Sequence, residues 1–88
     1  MRGVYWHAEA WESYVGIQQQ KSVLKRVNTL IKDIQRNSYK CSYGKPEMLK
    51  GHLQGYASVR IDHKNRLVFK VDDEKVTVVE CGGHYQDR

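Results

Sequence analysis

The chain has 88 residues, enough for one domain with a single small core, close to the lower limit for a protein held by neither disulfides nor metal. Hydrophobic residues make up 40% and charged residues 28%, which excludes a disordered chain. No apolar run approaches the roughly 18 residues of a membrane span, and no apolar N-terminal stretch marks a signal peptide. A net charge of +5 and a pI near 9.3 favour an anionic partner. Two cysteines, Cys41 and Cys81, are too few for a disulfide framework and are expected as reduced thiols in a cytoplasmic protein.

Taken in order, Gly3-Val4-Tyr5-Trp6 is rich in strand formers and is the first predicted strand. A short helix follows. Its aromatic stripe, Trp11, Tyr14, Val15 and Gln18, falls at helical spacing and is expected to face the core; Gly16 weakens the helix, which is expected to end near Gln20. The second helix has the clearest period in the chain. Val23, Leu24, Val27, Leu30, Ile31 and Ile34 form its apolar face, while Lys21, Lys25, Lys32 and Arg36 lie opposite, with Arg26 on the flank and Asp33 the one acid among them. This basic face reads either as an ordinary solvated surface or as a contact for a polyanion backbone. The first half of the chain, to Gly44, carries a net +4 and the second half only +1, which favours the polyanion reading.

Residues 37–45 form the one long loop, and Pro46 favours an extended conformation at Lys45. A short strand at Glu47–Lys50 and a turn at Gln54-Gly55 lead into a hairpin. In its first leg, 56–61, Ala57, Val59 and Ile61 share one face. In the second, 66–71, Leu67, Phe69 and Val71 do the same, so Arg60 and Arg66 are predicted to point together away from the core. The polar run 62–65 connects the legs, and Asp72-Asp73-Glu74 is the next turn. Lys75–Glu80 is apolar on both faces and is predicted as an interior strand, running out through Gly82-Gly83, a flexible exit, to His84 and Tyr85. The order β-α-α-β-β-β-β over one domain, residues 1–88, predicts an α+β fold with the helix pair on one face of a mainly antiparallel sheet.

The chain has no Gly-rich phosphate loop and no Ser/His/Asp spacing, and one Cys81-x-x-His84 pair falls short of the four ligands of a metal site, so neither metal nor cofactor is expected. What remains is a set of polar residues: Glu47, Lys50, Arg60, Arg66, His84 and Tyr85. Spacing alone does not bring Glu47 to His84, whereas four consecutively paired strands would. The bland alternative is a surface ion pair between Glu47 and Arg66 beside a frayed C-terminus.

Several segments of the chain together resemble a known family. Gly44-Lys45-Pro46-Glu47-x-Leu49-Lys50, x-Leu53-x-Gly55, Ser58-x-Arg60-Ile61, Asn65-Arg66-Leu67-Val68-Phe69 and Cys81-x-Gly83-His84-Tyr85 look like the Txe/YoeB toxins of the RelE-like superfamily. Trp6, Trp11, Tyr14 and Asn28-x-Leu30-Ile31-x-Asp33-Ile34 are similar as well, so the likeness covers nearly the whole chain. It implies the small RelE-like ribonuclease fold and the toxin of a type II toxin–antitoxin system, a ribosome-dependent mRNA endoribonuclease that inhibits translation. By the same resemblance Glu47 matches the general base, Arg66 the phosphate-binding arginine, His84 the general acid and Tyr85 the tyrosine that orders substrate. Lys50 and Arg60 match further basic positions around the RNA. The implied partners are the ribosome with mRNA in its decoding site and an acidic YefM/Phd-type antitoxin. Operator DNA would be met only through the antitoxin complex, and the resemblance also admits a homodimer; no membrane is involved.

The sequence departs from the family at Val59, where many members carry a second arginine, at Gly82, where Lys or Arg is usual, and in a tail that continues past Tyr85. Val59 and Gly82 favour the alternative of a catalytically weak RNA- or ribosome-binding module of the same fold. The chemistry makes independent sense. RNA carries its own nucleophile, the 2′-OH; a carboxylate can accept its proton, an imidazolium can protonate the leaving 5′ oxygen, and arginine can hold the non-bridging oxygens.

Overall fold

In the computed structural model, residues 1–83 are described. The elements run β1 (Gly3–Trp6), α1 (Ala8–Gly16), α2 (Lys21–Asn37), β2 (Glu47–Met48), β3 (Ala57–Arg60), β4 (Arg66–Val71) and β5 (Lys75–Gly83), with short 3₁₀ turns at Ser38–Lys40 and Gly51–Leu53. The five strands form one sheet in the order β1-β5-β4-β3-β2. β2 to β5 pair antiparallel in sequence, whereas β1, separated from β5 by both helices and the hairpin, joins its outer edge in parallel. β5 is therefore an interior strand, as its apolar pattern predicts. Among the described residues no helix is long and apolar enough to cross a membrane.

The period of α2 translates directly into packing. Val27, Leu30 and Ile34 are fully buried and Ile31 nearly so, against Ala57, Val59, Leu67, Phe69, Val76 and Val78 from one face of the sheet. Burying a side chain of this size contributes about 1.5–3 kcal/mol. The lysines of α2 then necessarily face solvent on the far side of the helix layer from the sheet.

α1 departs from expectation in two ways. It ends at Gly16 rather than near Gln20. Beyond the glycine, tighter bonds from the N–H of Ile17 to Tyr14 O (3.2 Å) and of Gln18 to Val15 O (3.3 Å) turn the chain toward α2. Its buried residue is Ala10, with Tyr14 and Ile17 packed beside it, while Trp11 and Val15 remain 49% and 50% exposed. The small Ala10 lets the helix backbone approach the sheet, which rotates the larger Trp11–Val15 stripe outward. Trp11 is half covered by ring contacts to Trp6 and Tyr14, each at 5.9 Å between centroids. The Tyr14 hydroxyl donates to Asn28 Oδ1 (2.7 Å) and ties α1 to α2.

The exit of β5 also differs from the predicted flexible linker. Gly82 and Gly83 stay in the strand, and Gly82, at φ +80°, is the extra residue of a bulge: Leu67 pairs with Cys81 but Arg66 with Gly83. A left-handed φ suits glycine and bends the strand locally.

Candidate active site

The face of the sheet turned away from the helices carries the polar residues. Strand register places Glu47 opposite Ser58, Ser58 opposite Val68, and Val68 opposite Glu80, in one row across β2–β5. Arg66 begins β4, opposite Arg60 at the end of β3. The Arg66 side chain reaches diagonally: its Nη1 donates to Ser58 Oγ (2.7 Å) and lies 3.5 Å from Glu47 Oε1. Ser58 is fully buried, so the guanidinium is braced against a fixed hydroxyl. The Glu47 side chain is 62% exposed and that of Arg66 25%, so one partner is open to solvent and the other half-sheltered. Two arginines directly across a ladder repel. Glu47 offsets one of them, and Arg60 remains exposed, so the end of the β3–β4 hairpin favours an additional anion.

Glu47 sits in a strand of only two residues, so its position depends on how the chain arrives. Gly44 adopts φ +73° and Lys45 φ +51°. The expectation of an extended Lys45 before Pro46 is thus not met: the chain leaves the surface of β3 and must reverse within two residues to lay Glu47 beside Ser58, which takes two left-handed residues in succession. Gly44 is also wedged against the sheet. A Cβ there would lie 2.8 Å from Val59 Cβ and 3.1 Å from Arg60 N, and its carbonyl accepts from Arg60 N–H (2.9 Å).

Of the remaining candidates, Lys50 is exposed just beyond β2. The last described residue, Gly83, stands opposite Arg66; His84 and Tyr85 lie outside the described residues. The α2 cations are not part of this face. Lys21, Lys25, Lys32 and Arg36 are exposed on the opposite side of the molecule, and Arg26 reaches from α2 to the Arg60 carbonyl (3.4 Å). Val59 is wholly buried in the core, so the family departure at that position takes no cation from the open face. Among the described residues no group of three or more His, Cys, Asp or Glu is arranged to hold a metal.

Three residues that hold the site carry no assigned role in the sequence reading. Ser58 was detectable as the outward neighbour of Arg60, two positions back. Gly44 stands in the Gly-Lys-Pro-Glu run. Asp33 stands out as one acid among basic residues and as a member of the Asn28-x-Leu30-Ile31-x-Asp33-Ile34 run. The residue is 8% exposed, and its carboxylate accepts from the backbone N–H of Ser42 (2.9 Å) and Tyr43 (3.0 Å) and from Asn37 Nδ2 (2.7 Å). Burial pushes its pKa up, but the bonds from Tyr43, Asn37 and Ser42 together outweigh this and hold it below the usual carboxylate value.

Helices on one face of a five-stranded, mainly antiparallel sheet, with acid and arginine on the other, make this a small RelE-like α+β fold. The chain belongs to the YoeB-like toxin family of bacterial type II toxin–antitoxin systems, whose family model matches residues 6–85. Toxin YoeB of Streptomyces coelicolor is 46% identical over 79 residues, 89% of this chain and 93% of the relative. Among solved structures, the YoeB dimer of Staphylococcus aureus is 41% identical, with a TM-score of 0.88 over 96% of this chain and 98% of that one. The YoeB–YefM complex from Staphylococcus aureus matches equally, 41% identical at a TM-score of 0.88, over 97% and 99% of the two chains.

Proposed function

We propose that this toxin acts as a ribosome-dependent mRNA endoribonuclease that inhibits translation in the cytoplasm. The observation that carries the reading is the Glu47 carboxylate held 3.5 Å from Arg66 Nη1 on the open face of the sheet, with Arg60 directly across the ladder. A scissile phosphate seated at the two guanidinium groups would draw Arg66 toward its non-bridging oxygens and free Glu47 to take the 2′-OH proton. The 2′ oxygen then attacks phosphorus, the bond to the 5′ oxygen breaks, and His84, as acid, protonates that leaving oxygen. The products are a 2′,3′-cyclic phosphate and a 5′-hydroxyl, with no metal required because the nucleophile belongs to the RNA. Tyr85 offers a ring for a base to stack on, and Lys50 supplies further charge for the strand.

An 88-residue chain has little surface with which to bend RNA, so the ribosome supplies the geometry, an effect worth many orders of magnitude in favourable cases. The basic α2 face contacts the ribosome. An acidic YefM/Phd-type antitoxin neutralises the toxin, and operator DNA is met only through that complex; self-association follows the dimeric relative. The test is single-turnover cleavage of translated mRNA at saturating ribosome, with melting temperature and antitoxin binding as folding controls. His84→Ala should slow the cleavage step about 10²–10⁴-fold and Arg66→Ala on the order of 10²-fold, both variants staying folded. Parental rates in the folded variants would refute the mechanism.

A further inference from the structure

We infer that Asp33 is a positioning residue for Glu47: through the backbone of Ser42 and Tyr43 it fixes where the carboxylate of the short edge strand stands relative to Arg66. The inference rests on Glu47 being the base.

The two partners of the ion pair are held very differently. Arg66 lies in β4, bonded to strands on both sides, with its guanidinium braced on Ser58. Glu47 lies at the sheet edge in a two-residue strand, exposed and paired on one side only. Such a strand does not set its own position; its flanks must. On the C-terminal side, Leu49 N–H donates to Tyr56 O (2.9 Å). On the N-terminal side there are two fixed points in succession: the Asp33 carboxylate on the N–H groups of Ser42 and Tyr43, then Gly44 bonded and wedged against β3. From Gly44 only Lys45 and Pro46 separate the anchor from Glu47.

Asp33 is otherwise hard to account for. A carboxylate withdrawn from water is costly, and the neighbouring core positions of α2 are apolar. Among the described residues its three hydrogen bonds go to its own helix end and to the loop, and none to the sheet. Losing it should therefore release residues 42–47 while the helix–sheet core stays packed. A displacement of about 1 Å at a reacting group can cost 10²-fold.

The experiment compares the full chain with Asp33→Ala and Asp33→Asn, in single-turnover cleavage at saturating ribosome and in amide hydrogen exchange. Asp33→Ala should slow the cleavage step about 10–10²-fold with half-saturating ribosome concentration unchanged, and exchange at Ser42, Tyr43 and Glu47 should accelerate while Val59 and Leu67 stay protected. Asp33→Asn should recover most of the rate: its carbonyl can serve both N–H groups, and a turned Asn37 amide can accept from the new NH₂. Parental cleavage by Asp33→Ala, equal losses in Ala and Asn variants, a change confined to ribosome affinity, or loss of protection throughout the core would each overturn the inference. A parent that does not cleave refutes the proposed function instead. The exchange measurement then decides alone, and unchanged exchange at 42–47 in Asp33→Ala overturns the positioning role.

Discussion

Asp33 shows how much one side chain can carry. Its folded pKa is held down by donors despite burial, so the charged form favours the folded state. The sign follows: this stability is fully present above the unfolded carboxylate value, about 3.9, and is lost as pH falls through the lower folded value. Asp33→Asn should melt below the parent at neutral pH, because charge-assisted bonds are replaced by neutral ones, and the gap should close below about pH 4. Melting curves from pH 7 to pH 2 measure it; a gap constant across that range would contradict the assignment. The same carboxylate adds to burial in pushing the Cys41 thiol up to about 11, and burial with the Glu80 charge does the same for Cys81. Both sulfurs are therefore protonated, packed groups rather than nucleophiles.

At the scale of the element, the run Gly44–Glu47 behaves as a hinge that has been filled in. A Cβ on Gly44 meets the Val59 side chain and the β3 backbone, and φ +73° is strained for any L-residue. Gly44→Ala should cost on the order of 1–3 kcal/mol and lower the melting temperature by roughly 4–8 °C per kcal/mol in a domain this small. Differential scanning calorimetry checks it, with Gly16→Ala as the contrast. Nothing lies within 4 Å of the Cβ at Gly16, which is helical, so that change should be neutral or slightly stabilising.

For the whole molecule, the sheet and its helix layer separate two charged surfaces. Glu47, Arg60 and Arg66 lie on one side; Lys21, Lys25, Lys32 and Arg36 lie on the other. Changing Lys21 and Lys25 together to Ala should weaken ribosome binding and flatten its salt dependence, yet leave the saturated cleavage step intact. Filter binding across a salt series, paired with single-turnover rates, separates the two effects. An equal loss in the saturated rate would place those lysines at the chemistry, on the wrong side of the sheet.

The sequence by itself determined the elements whose signal is periodic. The apolar row of α2 and the alternation of Ala57, Val59, Leu67 and Phe69 appear in the structure as core, because repeat spacing alone decides which side chains share a face. The likeness in ordered motifs named the family on similar grounds, by local runs of residues. What only the tertiary structure decided depends on pairs far apart in sequence. Asp33 meets Tyr43 ten residues on, Arg66 meets Ser58 eight residues back, and Glu47 meets Arg66 across the intervening β3. The rotation of α1 onto Ala10, the left-handed Lys45 and the bulge at Gly82 belong with these. Each is a local conformation set by what the chain must reach, and propensities along the chain contain no term for a partner that only folding brings near.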